Sequence, residues 1–492
     1  MKILLHSYSG YTYFLREVIK TAKEQKLKVD WGLILYSNSD NLLNEFKTLV
    51  RKENVLYLQE KLNGRMVREN VDLDIMHNFK GSIFECVSTS KVLRGHIPLI
   101  KKSRHYQLKI ISNTYHIYKE FLESQQPDFV FFSIIELYDS MILYYICLEL
   151  GITPIIYGHS RNIGLSYFTD SLYEDLPPYA LHGDLPENVK GKAGSFIREF
   201  RTTHMPAFEV RYQPHHDEIL DTSFLRKGLM QKAIRMLHKK LSNPEPHLVD
   251  TYTLLHHLGI HFLPLVRRYR NLKGNCLYKF FYDIKNLEEL PTRFIYYPIQ
   301  YTPETSINTP APYFIDQLRA IDLILNAMPP DYFLLVKEHP SMKGERDLSF
   351  YTKLKSKANV LLADFSLPSI EVIQKASLTI SVTGTPCLEA FLMGKRSLHL
   401  GKVFFTDWIS QFDSLSNFKK VIKDALDSPE VPVDKIIDLV GRVMSVGSDF
   451  ILHSPSDPYR DIRLLMNKRN IDTFLNKLFD HAELLKSKKQ HL

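Results

Sequence analysis

The sequence predicts an α/β protein with two Rossmann-like domains facing a cleft and a basic helical insertion between them. Three observations carry this. Short apolar runs alternate with helical stretches in both the first and the last third of the chain, the pattern of parallel sheets. The 492 residues exceed what one simple core holds, and at about 150 residues per domain they suggest two to three domains. The excess positive charge is concentrated between the two α/β regions. Apolar residues at 44% and charged residues at 24% exclude disorder and fibrous repeats.

In the first domain, residues 1–205, KILLHS (2–7) reads as a strand ending at Ser-Tyr-Ser-Gly. A helical pattern follows over 12–26, then a second strand candidate, VDWGLILYS (29–37). The pattern is less readable over 38–105. It returns after Pro127-Asp128 with the strand FVFFSII, a helix over 139–150 and the strand within GITPIIYGHS.

The second domain, residues 291–425, opens with the strand RFIYYPIQY (293–301) and a helix over 311–328. YFLLVKEHP (332–340) and NVLLAD (359–364) are strands, and SIEVIQKA is helical. LTISVTGT (378–385) is a strand and turn, and PCLEAFLMG is a helix opened by Pro386, a residue favoured in the first turn. RSLHLG (396–401) closes the series, and residues 426–492 form a C-terminal helical segment. Ligands of doubly wound sheets bind outside the strand carboxyl ends, so those ends are where chemistry is sought.

The net charge is +8, and residues 224–290 hold 12 Lys/Arg against 5 Asp/Glu. Their apolar positions recur at helical spacing, which gives two to three amphipathic helices with basic faces within the insertion, residues 206–290. Such faces suit anionic lipid or a phosphorylated acceptor, or are simply solvated. No groove-reading motif or interleaved basic-aromatic array points to nucleic acid. Cys86, Cys147, Cys276 and Cys387 form no CxxC pair and suit a reducing cytoplasm. The N-terminus lacks a secretory apolar run, and the most apolar stretch, 129–158, carries Glu136, Asp139 and Glu149. A soluble or peripheral protein is expected.

Candidate chemistry gathers at the predicted strand ends. Lys337-Glu338-His339-Pro340 closes one strand, where a proline-fixed imidazole can donate to a phosphate oxygen and Lys337 either adds charge nearby or is pointed to the opposite face by strand alternation. Ser381-Val382-Thr383-Gly384-Thr385 precedes a helix and offers hydroxyls and backbone N–H groups to an anion, with Gly384 allowing close approach. Glu389 in that helix can accept from a ribose hydroxyl. Glu304 lies on a proline-braced loop after Gln300. Glu136 and Asp139 follow an apolar strand, as candidate bases or nucleophiles or as helix caps. His159, Ser160 and Arg161 end another strand, and Arg161 can clamp a carboxylate. The histidines His256, His257 and His261 have no acidic third ligand at a usual spacing, and His215-His216-Asp217 reads as a loop, so no metal site is expected. Walker A, GxGxxG and GxSxG motifs are absent.

QYTPETS, then VKEHP, then TISVTGTPCLEA with GK shortly after, resembles the C-terminal half of capsule and surface-polysaccharide biosynthesis proteins. These are similar to GT-B glycosyltransferases that use CMP-sugars, the Kdo transferases and bacterial sialyltransferases. The match covers about residues 290–405, and the first half matches only in its domain pattern. The resemblance implies a GT-B-like fold and binding of the CMP phosphate by His339, Ser381, Thr383 and Thr385, with Glu389 a weaker nucleotide candidate; Lys337, Pro340 and Gly384 join the nucleotide-binding set from the strand-end reading above. It makes Glu304, four after Gln300, the nearest counterpart of an acidic nucleophile that is typically Asp. It places the acceptor-activating acid in the first domain, with Glu136 preferred over Asp139. Gln300, His159 and Arg161 are the substrate-binding candidates.

The expected reaction moves an acidic sugar, Kdo or another nonulosonic acid, from CMP to a growing surface polysaccharide or its lipid-linked acceptor. No metal or other cofactor is required, since CMP leaves with its phosphate already charged. The enzyme is expected in the cytoplasm, peripheral at the inner membrane face through residues 224–290. A CDP-polyol phosphotransferase of a teichoic-acid-like pathway, a UDP-sugar epimerase and a non-catalytic capsule-assembly subunit are the alternatives.

Overall fold

The computed structural model describes residues 1–36, 46, 48–63, 70–89, 103–135, 137–204, 272, 280–301, 307, 309–339, 342, 346–452 and 465–489. Glu136, Glu304, Pro340, Cys276, His215–Asp217, the histidines at 256–261 and most of the basic stretch 206–290 lie outside the described residues.

Two six-stranded sheets organise the chain. The first contains β1 (Lys2–Ser7), β2 (Asp30–Leu35), β3 (Val55–Tyr57), β4 (Phe129–Phe132), β5 (Thr153–His159) and β6 (Ser166–Thr169). Its order is β3-β2-β1-β4-β5-β6. All its pairs are parallel except β5 with β6. The second contains β7 (Phe294–Pro298), β8 (Phe333–Lys337), β9 (Val360–Ala363), β10 (Leu378–Ser381), β11 (Ser397–His399) and β12 (Ser410–Gln411), in the order β12-β11-β10-β7-β8-β9. It is parallel throughout. The α/β, GT-B-like frame of two Rossmann-like units is therefore present.

Sheets buried on both faces demand continuous apolar strands, and successive residues divide between the faces. Leu4, Val130 and Phe132 pack under α2 (Arg104–Gln125) and α3 (Tyr138–Glu149). Ile3, Leu5, Phe129 and Phe131 pack against α1 (Ser9–Glu24) on the other face. In the second sheet, Ile295, Tyr297 and Val336 meet α5 (Gln317–Ala327) and α6 (Leu348–Lys355). Tyr296 and Leu335 face α7 (Ser369–Lys375) and Ala390 of α8 (Thr385–Leu392).

A shared core joins the halves. Ile163, Tyr167 and, from α4 (Glu187–Thr203), Ile197 and Phe200 pack with Leu388 and Phe391 of α8. Phe405 and Val440 of α10 (Val433–Val446) complete it, and α9 (Phe418–Asp427) lies on the opposite face of the second sheet. The chain then returns to the first domain. Ser448 pairs with Ser166 through N–H···O bonds of 3.0 and 2.8 Å, and α11 (Lys468–Lys489) lays Phe474, Leu475 and Leu478 against α1.

Several expectations are corrected. Neither β3 nor the antiparallel β6 was visible in the pattern, and RSLHLG does not close the series, because β12 follows it. The helix expected over 311–328 starts at Gln317: Pro312–Phe314 forms a separate 3-10 turn, and Asp316 caps α5 by accepting from Leu318 N at 3.1 Å. Pro386 occupies the second helical position, after Thr385. Among the described residues no helix is long and apolar enough to cross a membrane.

Candidate functional site

In the second sheet the order reverses between β10 and β7, so their carboxyl ends form its switch point. Gln300 follows β7 and Thr383 follows β10. The Gln300 amide carries out two tasks at once, accepting from Thr383 N–H at 3.0 Å and donating to Thr383 Oγ1 at 3.2 Å. Gly384 makes room for it: a Cβ there would meet Gln300 Nε2 at 3.3 Å and Pro386 Cδ at 3.2 Å. The backbone approach expected of Gly384 is thus toward Gln300, and Gln300 itself, a substrate-binding candidate, is buried in this clamp.

Ser381 is also internal. Its hydroxyl accepts from Gly384 N–H at 3.1 Å and donates toward Gly384 O and Cys387 Sγ. Beneath it, His399 at the end of β11 is fully buried, with Nε2 3.5 Å from Gly384 O and Nδ1 without a partner among the described residues. Burial, reinforced by the Arg161 charge, pushes its imidazole down to about 3 against the pull of the Gly384 carbonyl. Among the amides that open α8, Thr383 and Gly384 are engaged, Pro386 has none and Cys387 donates to Gly384 O at 3.3 Å. Thr385 N–H has no partner among the described residues. The groups left open to an anion are therefore fewer than the Ser/Thr-rich sequence suggests, and among the described residues Thr385 holds the open amide.

His339, just past β8, is exposed, and the Tyr301 ring stands edge-on at 6.0 Å. Desolvation by the surrounding protein, with the charges of Lys337 and Arg346, lowers its imidazole to about 4, so it is neutral at pH 7. Glu338 points the other way into the interior. It meets Arg346 Nε at 2.7 Å and accepts from Tyr351 OH at 3.2 Å. Burial raises the Glu338 carboxyl, while Arg346 opposes the rise. Arg346 also donates to Gln300 O at 2.9 Å and lies 4.7 Å from the Phe350 ring centroid. Nothing in the SMKGERD stretch marks Arg346 as a partner of this turn.

Lys337 is buried on the face toward α7 and α8. Its ammonium donates to Leu367 O and to Ser369 Oγ, the latter at 2.8 Å. Burial lowers it to about 8, opposed by Glu389 and Asp364. Glu389, half-buried in α8, is raised by burial and held back by Asn162 and Lys337. Lys337 thus contributes field to His339 from within the fold, with its amine tied to protein atoms.

The first domain reaches this site through the β5–β6 connection. Ser160 closes the loop: its hydroxyl donates to Leu165 O at 2.7 Å and accepts from Leu165 N–H at 2.8 Å. His159 Nδ1 accepts from Arg161 N–H at 3.0 Å. The Arg161 guanidinium donates to Thr383 O and lies over the Phe405 ring at 5.7 Å. Asn162 Nδ2 donates to Glu389 Oε1 at 3.4 Å. A further contact across the boundary is the hydrogen bond from Thr309 Oγ1 to Ile135 O at 3.1 Å. The sequence reading missed Arg346, Asn162 and His399; only the position of His399 at a strand end could have flagged it.

Asp139 lies apart, fully buried at the start of α3. It accepts from Tyr8 OH at 3.2 Å and Tyr118 OH at 3.4 Å, with His6 Nε2 at 3.5 Å. It anchors the β1 and β4 ends to each other. Among the described residues no group of three His, Cys, Asp or Glu side chains could hold a metal ion.

No family model and no curated protein matches the chain. Solved structures similar to it include UDP-GlcNAc 2-epimerase from Methanocaldococcus jannaschii, at 12% identity over 91% of this chain and 99% of that one, TM-score 0.24. The Thermosulfurimonas dismutans KpsC beta Kdo 2,4 transferase is 10% identical over 62% of this chain and 75% of that one, TM-score 0.32. A glycosyltransferase from Rickettsia africae ESF-5 is 11% identical over 97% and 98%, TM-score 0.27. Identities and TM-scores this low assign no activity.

Proposed function

We propose that this chain is a glycosyltransferase that moves an acidic sugar from a CMP-sugar to a growing surface polysaccharide or its lipid-linked acceptor. The observation that supports it best is the Gln300-clamped turn before Thr385 at the switch point, with His339 past the end of the neighbouring strand β8 and Arg346 bonded to both Glu338 and the Gln300 carbonyl. The resemblance of these segments to CMP-sugar transferases supplies the substrate class.

The donor phosphate accepts from the His339 imidazole N–H, the Thr385 backbone N–H and the Thr385 hydroxyl, the His339 backbone N–H being donated to Glu338 Oε1 at 2.9 Å. Because His339 is neutral, the positive field that stabilises departing CMP comes from Arg346 and Lys337. The bond between the anomeric carbon and the phosphate oxygen breaks, and its electron pair stays with CMP. The acceptor hydroxyl oxygen forms the new bond and its proton passes to a carboxylate, for which Glu136 is preferred, since Asp139 is enclosed by two phenols. Glu304 is the candidate nucleophile if a covalent intermediate forms. Residues 224–290 would bring the enzyme to the anionic inner membrane face.

Thermal shift against CMP, CDP, UDP and GDP tests the reading. Ligand at 100 times Kd adds about 2.7 kcal/mol to the folded state. A CMP-selective shift that is lost in His339→Ala is expected. A UDP-selective shift replaces this reading with a UDP-sugar enzyme and silence from all four with an assembly subunit; a polyol phosphotransferase also releases CMP, so it is recognised by turnover of CDP-glycerol, a donor that a CMP-sugar transferase leaves untouched.

A further inference from the structure

Three consecutive residues of the first domain engage α8 and the turn before it, each by a different interaction. Arg161 bonds the main-chain carbonyl of Thr383, Asn162 bonds the Glu389 side chain, and Ile163 enters the shared core. Arg161 does so from a left-handed backbone, φ 55°, that a long side chain rarely adopts and that persists only where its surroundings enforce it. The enforcement is visible: Ser160 closes the loop on Leu165, Gly164 turns at φ 80°, and the Arg161 amide is tied to His159.

The contact controls one peptide plane. In the unit between Thr383 and Gly384, the carbonyl is held by Arg161 and the N–H by Ser381 Oγ. The guanidinium is pinned over Phe405, with Glu174 Oε2 at 3.9 Å. A carbonyl turned toward a bound phosphate would repel it, and this plane immediately precedes the open amide of Thr385. Holding the oxygen toward the first domain keeps the cradle favourable to an anion.

We propose that Arg161 is a positioning residue for the 381–385 turn, through which the second domain's affinity for a phosphate-bearing ligand depends on the first domain. The affinity half of this rests on the function proposed above; the geometric half does not. Its chemistry differs from the carboxylate clamp expected for Arg161, because the guanidinium faces a protein carbonyl.

Two measurements on the full chain test it, using Arg161→Met and Arg161→Lys. Hydrogen exchange without ligand should quicken at least tenfold at Gly384 and its neighbours in Arg161→Met, with partial protection restored in Arg161→Lys and the rest of the second domain unchanged. Calorimetric titration with CMP should show at least tenfold weaker binding in Arg161→Met, an intermediate value in Arg161→Lys, and partial recovery of the Met variant with millimolar guanidinium. Unchanged exchange at the turn overturns the proposal, as does quickening across the whole second domain without rescue, which marks simple loss of packing. Local quickening in a protein whose wild type ignores CMP upholds the positioning role and overturns the CMP reading.

Discussion

Gln300 and Thr383, 83 positions apart, are joined by two hydrogen bonds through a single side-chain amide. One end accepts from the Thr383 backbone and the other donates to its hydroxyl, so the carboxyl ends of β7 and β10 are fixed to each other at the switch point.

Replacing Gln300 by Ala leaves the buried Thr383 N–H without an acceptor. An unsatisfied buried donor costs about 1–3 kcal/mol. Urea unfolding should register that loss, and CMP affinity should fall with it. Full stability in Gln300→Ala would mean that water or a shifted backbone replaces the amide.

Arg346→Met leaves Glu338 buried without its cation, and removing one member of a buried pair typically costs about 3–5 kcal/mol. The double variant Glu338→Gln with Arg346→Met should recover a good part of it. A double-mutant cycle measures the coupling, and additive losses would contradict the pairing.

Stability should fall as the solution is acidified from pH 6.5 toward 3. His399 is held down to about 3 by burial, so across that interval the unfolded chain binds a proton that the folded chain refuses. His339, lowered to about 4, acts in the same sense. The carboxyls of buried Glu338 and half-buried Glu389 are raised and act oppositely, so the histidine effect is read as a difference. His399→Leu should flatten the decline by up to one proton in plots of unfolding free energy against pH. An unchanged slope would exclude His399 as a source.

Phe474→Ala should destabilise the chain by about 3–5 kcal/mol. The ring is fully buried and meets Phe14, Phe131, Phe168 and Phe450 at centroid distances of 5.1 to 5.7 Å. Chemical denaturation checks this, and a change below 1 kcal/mol would mean that α11 is only loosely docked.

The parallel strands were legible because burial on both faces leaves mostly apolar residues along them: KILLHS, FVFF, FLLV and LTIS announce themselves. β3 and β12, with three and two residues, are too short to show periodicity, and β6 is defined by its pairing with β5 more than by its own composition. At the site, residue type and strand position singled out His339 and the 381–385 turn. They did not reveal direction. Ser381 and Gln300 turn inward, Lys337 lies beneath the sheet, and Arg161 bonds a carbonyl 222 positions away, all consequences of which face a chain presents after packing. Arg346 escaped notice because an arginine in a polar loop resembles any solvated one until the carboxylate opposite it is known.

The return of α11 to the first domain has a consequence for synthesis on the ribosome. The apolar face formed by α1 and the first sheet waits for Phe474, Leu475 and Leu478, which emerge only after the whole second domain has been translated. During that interval the nascent first domain carries an uncovered greasy surface, while the second domain already has its strands and helices in hand. Of the two domains the earlier-translated one is the last to be sealed, and a ribosome that stalls before residue 468 leaves its apolar face open to chaperones.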